Sequence, residues 1–365
     1  MPAKQGQITF TSFGCLLFSY LSGFSTLFLI EAKFLNQDVW MAYSIGMALS
    51  FGILWLLHRT QIRLPNLTML EVFDHALGKL FSRVVLCFYL VYLLEIQGDA
   101  SQALTSFYRS VVLPNTPTNS ILLMLALTTT YAVSVGFHAI VRSVLLALPF
   151  FLLGIAFILL MISQDVHTNP FLPPFRHSAA LIGYGGLLSF FLPFGKSIVF
   201  CFLFDRIGSG RKKMASIFAA LFLAGLYLCA ATYLTFGSLG MRLTSHSLFP
   251  FFSAIQLVKL GEYLERIEIM IIGIWTLFTV FEIIVLQYIF VQLFTHVFRI
   301  QRPKWFVLPI GLLFFAISER SFREVYDQDY YNSHIAPFST LIPTVVIPLL
   351  LFVVGSIRLK RLSGA

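Results

Sequence analysis

The sequence predicts an all-α integral membrane protein, one polytopic domain of about ten transmembrane helices. Three observations carry this. The 365 residues are 58% hydrophobic and only 11% charged, whereas a soluble domain carries about 25% charged residues. Apolar runs close to the ~20 residues that cross a bilayer recur from end to end, with no long polar block between them. Lys and Arg are divided unequally between alternate connections, as in chains held across a membrane.

In chain order the spans are expected at about residues 8–30, 39–57, 84–107, 120–135, 143–162, 182–204, 214–236, 267–298, 305–317 and 338–357. The first has no small-residue cleavage site and outruns the apolar core of a signal peptide, so it is read as a helix of the mature protein. Between the second and third, the stretch from Thr68 to Arg83 sets Leu70, Phe73, Ala76, Leu77, Leu80 and Phe81 on one helical stripe. That pattern predicts a helix lying along the inner membrane surface. Two connections are long enough for lids or partner contacts: residues 164–180, with Pro173 and Pro174, and residues 318–337, with the run ERSFREVYDQDYYNSH.

An even number of spans places both termini on one side. Sixteen of the 25 Lys and Arg lie on that side, Arg211, Lys212 and Lys213 among them, eight lie opposite, and Lys196 falls inside a span. Positive flanks stay cytoplasmic, so both termini are expected there. This bias and the attraction of anionic lipid headgroups explain the net charge of +9. Nucleic-acid binding is excluded, because no basic residues interleave with aromatics on a soluble face. Cys15, Cys87, Cys201 and Cys229 all fall in spans and form no CxxC pair, so neither disulfides nor a metal or cofactor site is expected. No GxSxG elbow, HExxH pair, P-loop or kinase signature occurs, and no enzyme is expected.

Two spans are interrupted in ways a plain anchor does not need. Ser19, Ser22, Gly23 and Ser25 cluster in the first; Gly183, Gly185, Gly186, Ser189, Pro193 and Gly195 break an aromatic run in the sixth. First and sixth are matching positions of two five-span halves, residues 8–163 and 182–357. That placement predicts an inverted repeat with discontinuous helices around a midplane solute site. Ser22, Gly23, Phe190, Phe194 and Gly195 are therefore candidate ligand-binding residues, with the phenylalanines as walls.

Charged groups at the bilayer centre cost about 2.5–3.5 kcal/mol and mark function. Four stand out: Glu95, Asp99, Lys196 and Glu282. Glu95 and Asp99 share a helix face at four-residue spacing and would repel each other if both were ionised. Lys196 is the natural counter-ion and also a candidate ligand-binding residue: its expected partner is Glu95 or Asp99, in a charge network or gate, or else the carboxylate of a ligand. Thr276 and Thr279, on one face with Glu282, and Tyr92 of the third span could supply the few polar groups that orient a ligand in an apolar pocket.

Several stretches resemble a known family. They are Asn36-Gln37-Asp38-Val39-Trp40, Pro65-Asn66-Leu67-Thr68 with Leu77-Gly78-Lys79, Leu113-Pro114-Asn115-Thr116-Pro117, Tyr131-Ala132-Val133 with Gly136 and Arg142, and Phe191-Leu192-Pro193-Phe194-Gly195. In this order, from Gln7 to about Pro250, they resemble the spore germination receptor B-subunit family, of the amino acid, polyamine and organocation transporter superfamily. The resemblance implies a LeuT-type fold and a germinant-sensing subunit in the inner membrane of a bacterial endospore. It also implies an A-type membrane subunit and a C-type lipoprotein as partners, and a small nutrient such as an amino acid as ligand. Lys196 stands where that family usually has a glutamate, and His138 where an acidic residue is common. The buried charges also fit a second reading, a proton-coupled amino-acid permease acting alone.

The charge bias yields a first test. Cysteine labels placed near Lys212 and near Tyr330 should react with a membrane-impermeant reagent from opposite faces of the bilayer, and reaction of both from one face contradicts the ten-span topology.

Overall fold

The computed structural model describes residues 7–23, 28–64, 67–164, 166, 173–208, 211–257, 268–322 and 325–363. Ser25, Pro65 and Asn66 lie outside these. Among the described residues the chain is helical, with no β-strand beyond an isolated bridge between Ile8 and Ile207.

Local chemistry sets the helix ends. Helix α1 (Phe10–Ser22) starts where the Thr9 hydroxyl accepts from Ser12 N at 3.1 Å, satisfying an orphan donor of the first turn. It stops at Ser22, short of the expected residue 30, with Gly23 at φ −58° and ψ −84°. Thirteen residues span only about 20 Å, less than a ~30 Å hydrocarbon core. After the short turn Ala32–Leu35 comes α2 (Val39–Ile62).

The stripe from Thr68 to Arg83 forms two helices instead of the single surface helix expected. Helix α3 (Met69–Leu77) is fixed by a capping box between Thr68 and Glu71, and Gly78, at φ 88°, turns the chain into α4 (Lys79–Phe107). Only a residue without Cβ adopts that angle cheaply. The turn leaves Met69, Val72, Phe73 and Ala76 buried, while Leu80 and Phe81 are exposed at the start of α4.

Helices α5 (Thr118–Val135) and α6 (Phe137–Ser163) join through Gly136, at φ 112°. Helix α7 (Ala179–Ser189), capped by Ser178, opens the sixth span. That span then breaks. Across the turn Phe190–Phe194, Leu192 is extended, at φ −140° and ψ 122°, before a tight helix Gly195–Arg206 resumes. Helices α8 (Arg211–Leu239), α9 (Pro250–Leu257), α10 (Glu268–Val297), α11 (Val307–Ser321) and α12 (Ile347–Ser363) follow.

Seven of the described helices are long and apolar enough to cross a membrane. The pair Pro303–Ser321 and Tyr326–Ser339, bent by 94°, makes an eighth if taken as one span, and Phe10–Ser22 and Ile342–Ile357 are apolar but shorter. The sixth span is the most buried of these: 89% of an 18-residue stretch of it is buried, against 22% for α5, which faces outward. Helix α10 packs beside α1, α4, α5 and α6. Its Trp275 sits edge-on to Phe107 and against Phe251 and Phe252. Such a helix, apolar around its whole circumference, belongs inside a bundle.

Small residues let the broken span and α2 approach. A Cβ at Gly46 would lie 2.7 Å from Phe190 N and from Ser189 C, directly behind the break. Gly46→Ala should therefore cost about 1–3 kcal/mol by overpacking, read as a lower melting temperature. Gly52→Ala, on the same helix with nothing within 4 Å of its added Cβ, should be neutral or slightly stabilising. Equal melting of the two variants contradicts close packing at the break.

Candidate functional site

The two interrupted helices and α10 meet at one buried ion pair. Lys196 Nζ lies 2.6 Å from Glu282 Oε1, with the two residues 5% and 1% exposed. Lys196 follows the break of the sixth span at once, and its ammonium stands 5.4 Å over the Tyr20 ring near the end of α1. The Tyr20 hydroxyl donates to the Lys196 carbonyl at 3.2 Å. Residues around the two breaks are thus tied to each other and to α10.

Glycine makes this convergence possible. A Cβ on Gly23 would come within 3.2 Å of Thr279 N and 3.3 Å of Glu282 Oε2, and one on Gly195 would lie 2.2 Å from the Phe190 carbonyl oxygen. Around the pair, the buried hydroxyls of Ser22, Tyr92, Ser197 and Thr279 and the second oxygen of Glu282 have no hydrogen-bond partner. Buried polar atoms are seldom left so. Here Ser22, Ser197, Thr279 and Glu282 sit on the elements that meet at the pair, and Tyr92 on α4.

Beside the pair lies a cavity of about 70 Å³. Its polar lining is Glu31, Asp99, Lys196, Glu282 and Asn332; Phe28, Leu29, Ala100, Ala103, Leu192 and Pro193 are among its apolar walls. Asn332, in the second long connection, lines it, and its neighbours bond the acids of α4. Gln328 Nε2 donates to Asp99 Oδ1 at 2.7 Å and Asn332 Nδ2 to the same oxygen at 2.9 Å. Tyr331 and Ser339 hydroxyls each donate to Glu95 Oε1 at 2.5 Å. Lys33 pairs with Asp329 at 3.1 Å, and the Tyr184 hydroxyl donates to the Ser333 carbonyl at 3.0 Å. The other long connection is pinned by Asp38, which accepts from Phe175 N at 2.7 Å and His177 N at 3.0 Å.

Several expectations change. Lys196 is paired with Glu282 and not with Glu95 or Asp99, because those two carboxylates are taken by donors from residues 328–339. Thr276 stands apart from the cavity, its hydroxyl held by Tyr108 at 2.7 Å and the Ile272 carbonyl at 2.7 Å. Neither Phe190 nor Phe194 lines the cavity: Phe190 packs on Phe191, and the Phe194 ring reaches the Gly225 position on α8. Tyr92 and Thr279 are buried close to the pair without lining the cavity. Sequence reasoning missed Tyr20, Glu31 and the donors of residues 328–339. A carboxylate at the very edge of the first apolar run, and five hydrogen-bonding side chains in Asp327–Tyr331 followed by Asn332, were the available signals.

A family model described as spore germination protein matches residues 7–322, well past Pro250. The chain is similar to spore germination protein KB of Bacillus subtilis (strain 168), 23% identical over 343 residues that cover 92% of this chain and 91% of that protein. It is also similar to the putative spore germination protein YfkT of the same organism, 22% identical over 333 residues covering 90% of each.

The hydrogen bonds to Glu95 make the anchoring of residues 328–339 testable. Tyr331→Phe with Ser339→Ala should cost about 1–3 kcal/mol by leaving the half-buried carboxylate without its donors. Amide hydrogen exchange across residues 325–339 should quicken, and unchanged exchange contradicts the anchoring described.

Proposed function

Since the chain belongs to the spore germination protein family, we propose that it is the nutrient-sensing membrane subunit of a spore germination receptor, holding a small solute such as an amino acid in the cavity beside Lys196 and Glu282. The observation that carries this is the convergence of the broken sixth span, the end of α1 and α10 on a single buried ion pair next to a small cavity. Breaks in corresponding spans, with polar groups between them, are how inverted-repeat transporters build a solute site. On this reading the fold is LeuT-type, two five-span halves of residues 8–163 and 182–357 around a midplane site. The protein stands in the endospore inner membrane with both termini cytoplasmic, and acts with an A-type membrane subunit and a C-type lipoprotein.

Sensing then follows from linkage. A solute that prefers one arrangement of the broken spans shifts the population toward it by its differential affinity, and the partner subunits respond to that shift. On this reading the site binds without reacting, its Lys and Glu holding each other. The second reading, a proton-coupled permease acting alone, is favoured by the buried carboxylates Asp99 and Glu282 beside the cavity.

Two measurements test the proposal. Spores carrying Gly23→Leu should insert the chain yet lose their nutrient response, because the backbone at Gly23 lies against Thr279 and Glu282. A normal response places the pocket elsewhere. Reconstituted alone in vesicles, the protein should show no uptake of the nutrients that trigger the spores; robust proton-coupled uptake selects the permease.

A further inference from the structure

We propose that the groove between α6 and α10 binds an anionic phospholipid from the leaflet in which α6 begins, with an acyl chain laid along α10 and the headgroup held at Arg142. This site is separate from the cavity beside Lys196, and it stands whether the chain senses or transports.

The groove has a volume of about 820 Å³. Apart from Ser143, every residue lining it is apolar or glycine, and a space of that kind offers water no partners, so hydrocarbon fills it. Phe151 meets Phe278 with ring centroids 3.8 Å apart, and Gly154 faces Ile274, so the two helices run antiparallel and Ser143 and Phe281 share one mouth. A Cβ on Gly154 would lie 2.5 Å from Ile274 Cδ1, whereas one on Gly273 would meet nothing within 4 Å. The helices therefore touch at the floor, and the groove stays open beside Gly273. Between Ser143 and Phe157 it runs for about 21 Å of helical rise, which exceeds half of a ~30 Å hydrocarbon core and accommodates a whole acyl chain.

Charge at that mouth identifies the occupant. His138, Arg142 and Leu146 follow at four-residue spacing on one face of α6, all exposed, so the basic groups head the same stripe that lines the groove. Among the described residues Arg142 is paired with no carboxylate. Its planar guanidinium suits a phosphate bidentately, and its stem can lie on apolar surface while the head reaches the interface. Basic pockets between helices at a membrane surface hold anionic headgroups in this way. A second copy of the chain, paired by a two-fold axis along the membrane normal, would instead set two Arg142 side chains at the same depth and give neither a counter-ion. The floor also reaches the ion pair. Phe278 and Phe281 line the groove, the Phe278 carbonyl carbon lies 3.3 Å from a Cβ placed on Gly23, and Phe281 directly precedes Glu282. A chain in the groove thus bears on α10 one residue from the carboxylate that holds Lys196.

The test uses the full chain purified in a neutral detergent and stripped of lipid, with thermal unfolding and native mass spectrometry as readouts. Phosphatidylglycerol should raise Tm by several degrees and remain bound in the mass spectrum, while phosphatidylcholine with the same chains should do neither. Glycerol phosphate, a headgroup without chains, should leave Tm unchanged. Arg142→Gln should erase the preference for phosphatidylglycerol, and Arg302→Gln, a basic residue outside the groove, should keep it. Gly273→Leu fills the groove from a position with room for the side chain; it should remove the bound lipid without unfolding the protein, and it carries the test if Arg142→Gln fails to fold. Equal retention of the two lipids, a preference that survives both groove substitutions, or a rise with glycerol phosphate alone overturns the proposal. So does conversion of a dimer to a monomer by Gly273→Leu with the lipid preference intact, which assigns the groove to a second copy of the chain.

Discussion

Charge inside a bilayer has to be answered locally, and in this protein the answer is the bond between Lys196 and Glu282. The two groups sit 2.6 Å apart and almost wholly buried. Neither would be tolerable alone, since an isolated charge in a medium of low dielectric is far costlier than one with a partner. The pair fixes the rest of the site. It sets α10 against the sixth span just after its break and holds the ammonium over Tyr20 of α1. With the Tyr20 hydroxyl on the Lys196 carbonyl, three segments distant in sequence share one contact point.

Around this point, backbone geometry does what side chains cannot. Leu192 is extended inside an otherwise helical span, and irregular backbone at membrane depth persists only where protein or a cavity covers it. Gly195 leaves no space for a Cβ against the Phe190 carbonyl, and Gly23 brings its backbone tightly against Thr279 and Glu282. Donors from residues 328–339 then satisfy Glu95 and Asp99, so that two neighbouring acids on α4 are accommodated without a cation of their own. That segment is polar and stapled at few points, the kind of element that opens with less free energy than a packed core helix.

Much of the fold was legible in the sequence because bilayer solvation writes long apolar runs. Among the described residues the expected apolar runs are helical, seven of the helices being long and apolar enough to cross a membrane, and the end of α1 at Gly23 and the break at Pro193 were signalled by clustered small residues and proline. The pairing of charges was not legible. Periodicity places Glu95 and Asp99 on one face and Lys196 in a broken span, but it carries nothing about which face of α10 turns inward. That orientation, decided by packing of Trp275 and Phe278, brings Glu282 to the lysine. The surface stripe from Thr68 misled for a local reason: a glycine at φ 88° ends a helix that hydrophobic spacing alone would continue. The donors in residues 328–339 were hidden because a polar run between spans looks the same whether it is solvated or folded back over an acid.

If the Lys196–Glu282 pair is the organising contact, its two halves must be coupled energetically. The direct measurement is a double-mutant cycle on Lys196→Met and Glu282→Gln, scored by reversible unfolding of the protein in nanodiscs. Lys196→Met strands a buried carboxylate and should cost about 3–5 kcal/mol. The double variant, having no charge to strand, should recover a large part of that, with an interaction energy of about 1–3 kcal/mol. Additive costs in the cycle, with no recovery in the double variant, would contradict the account.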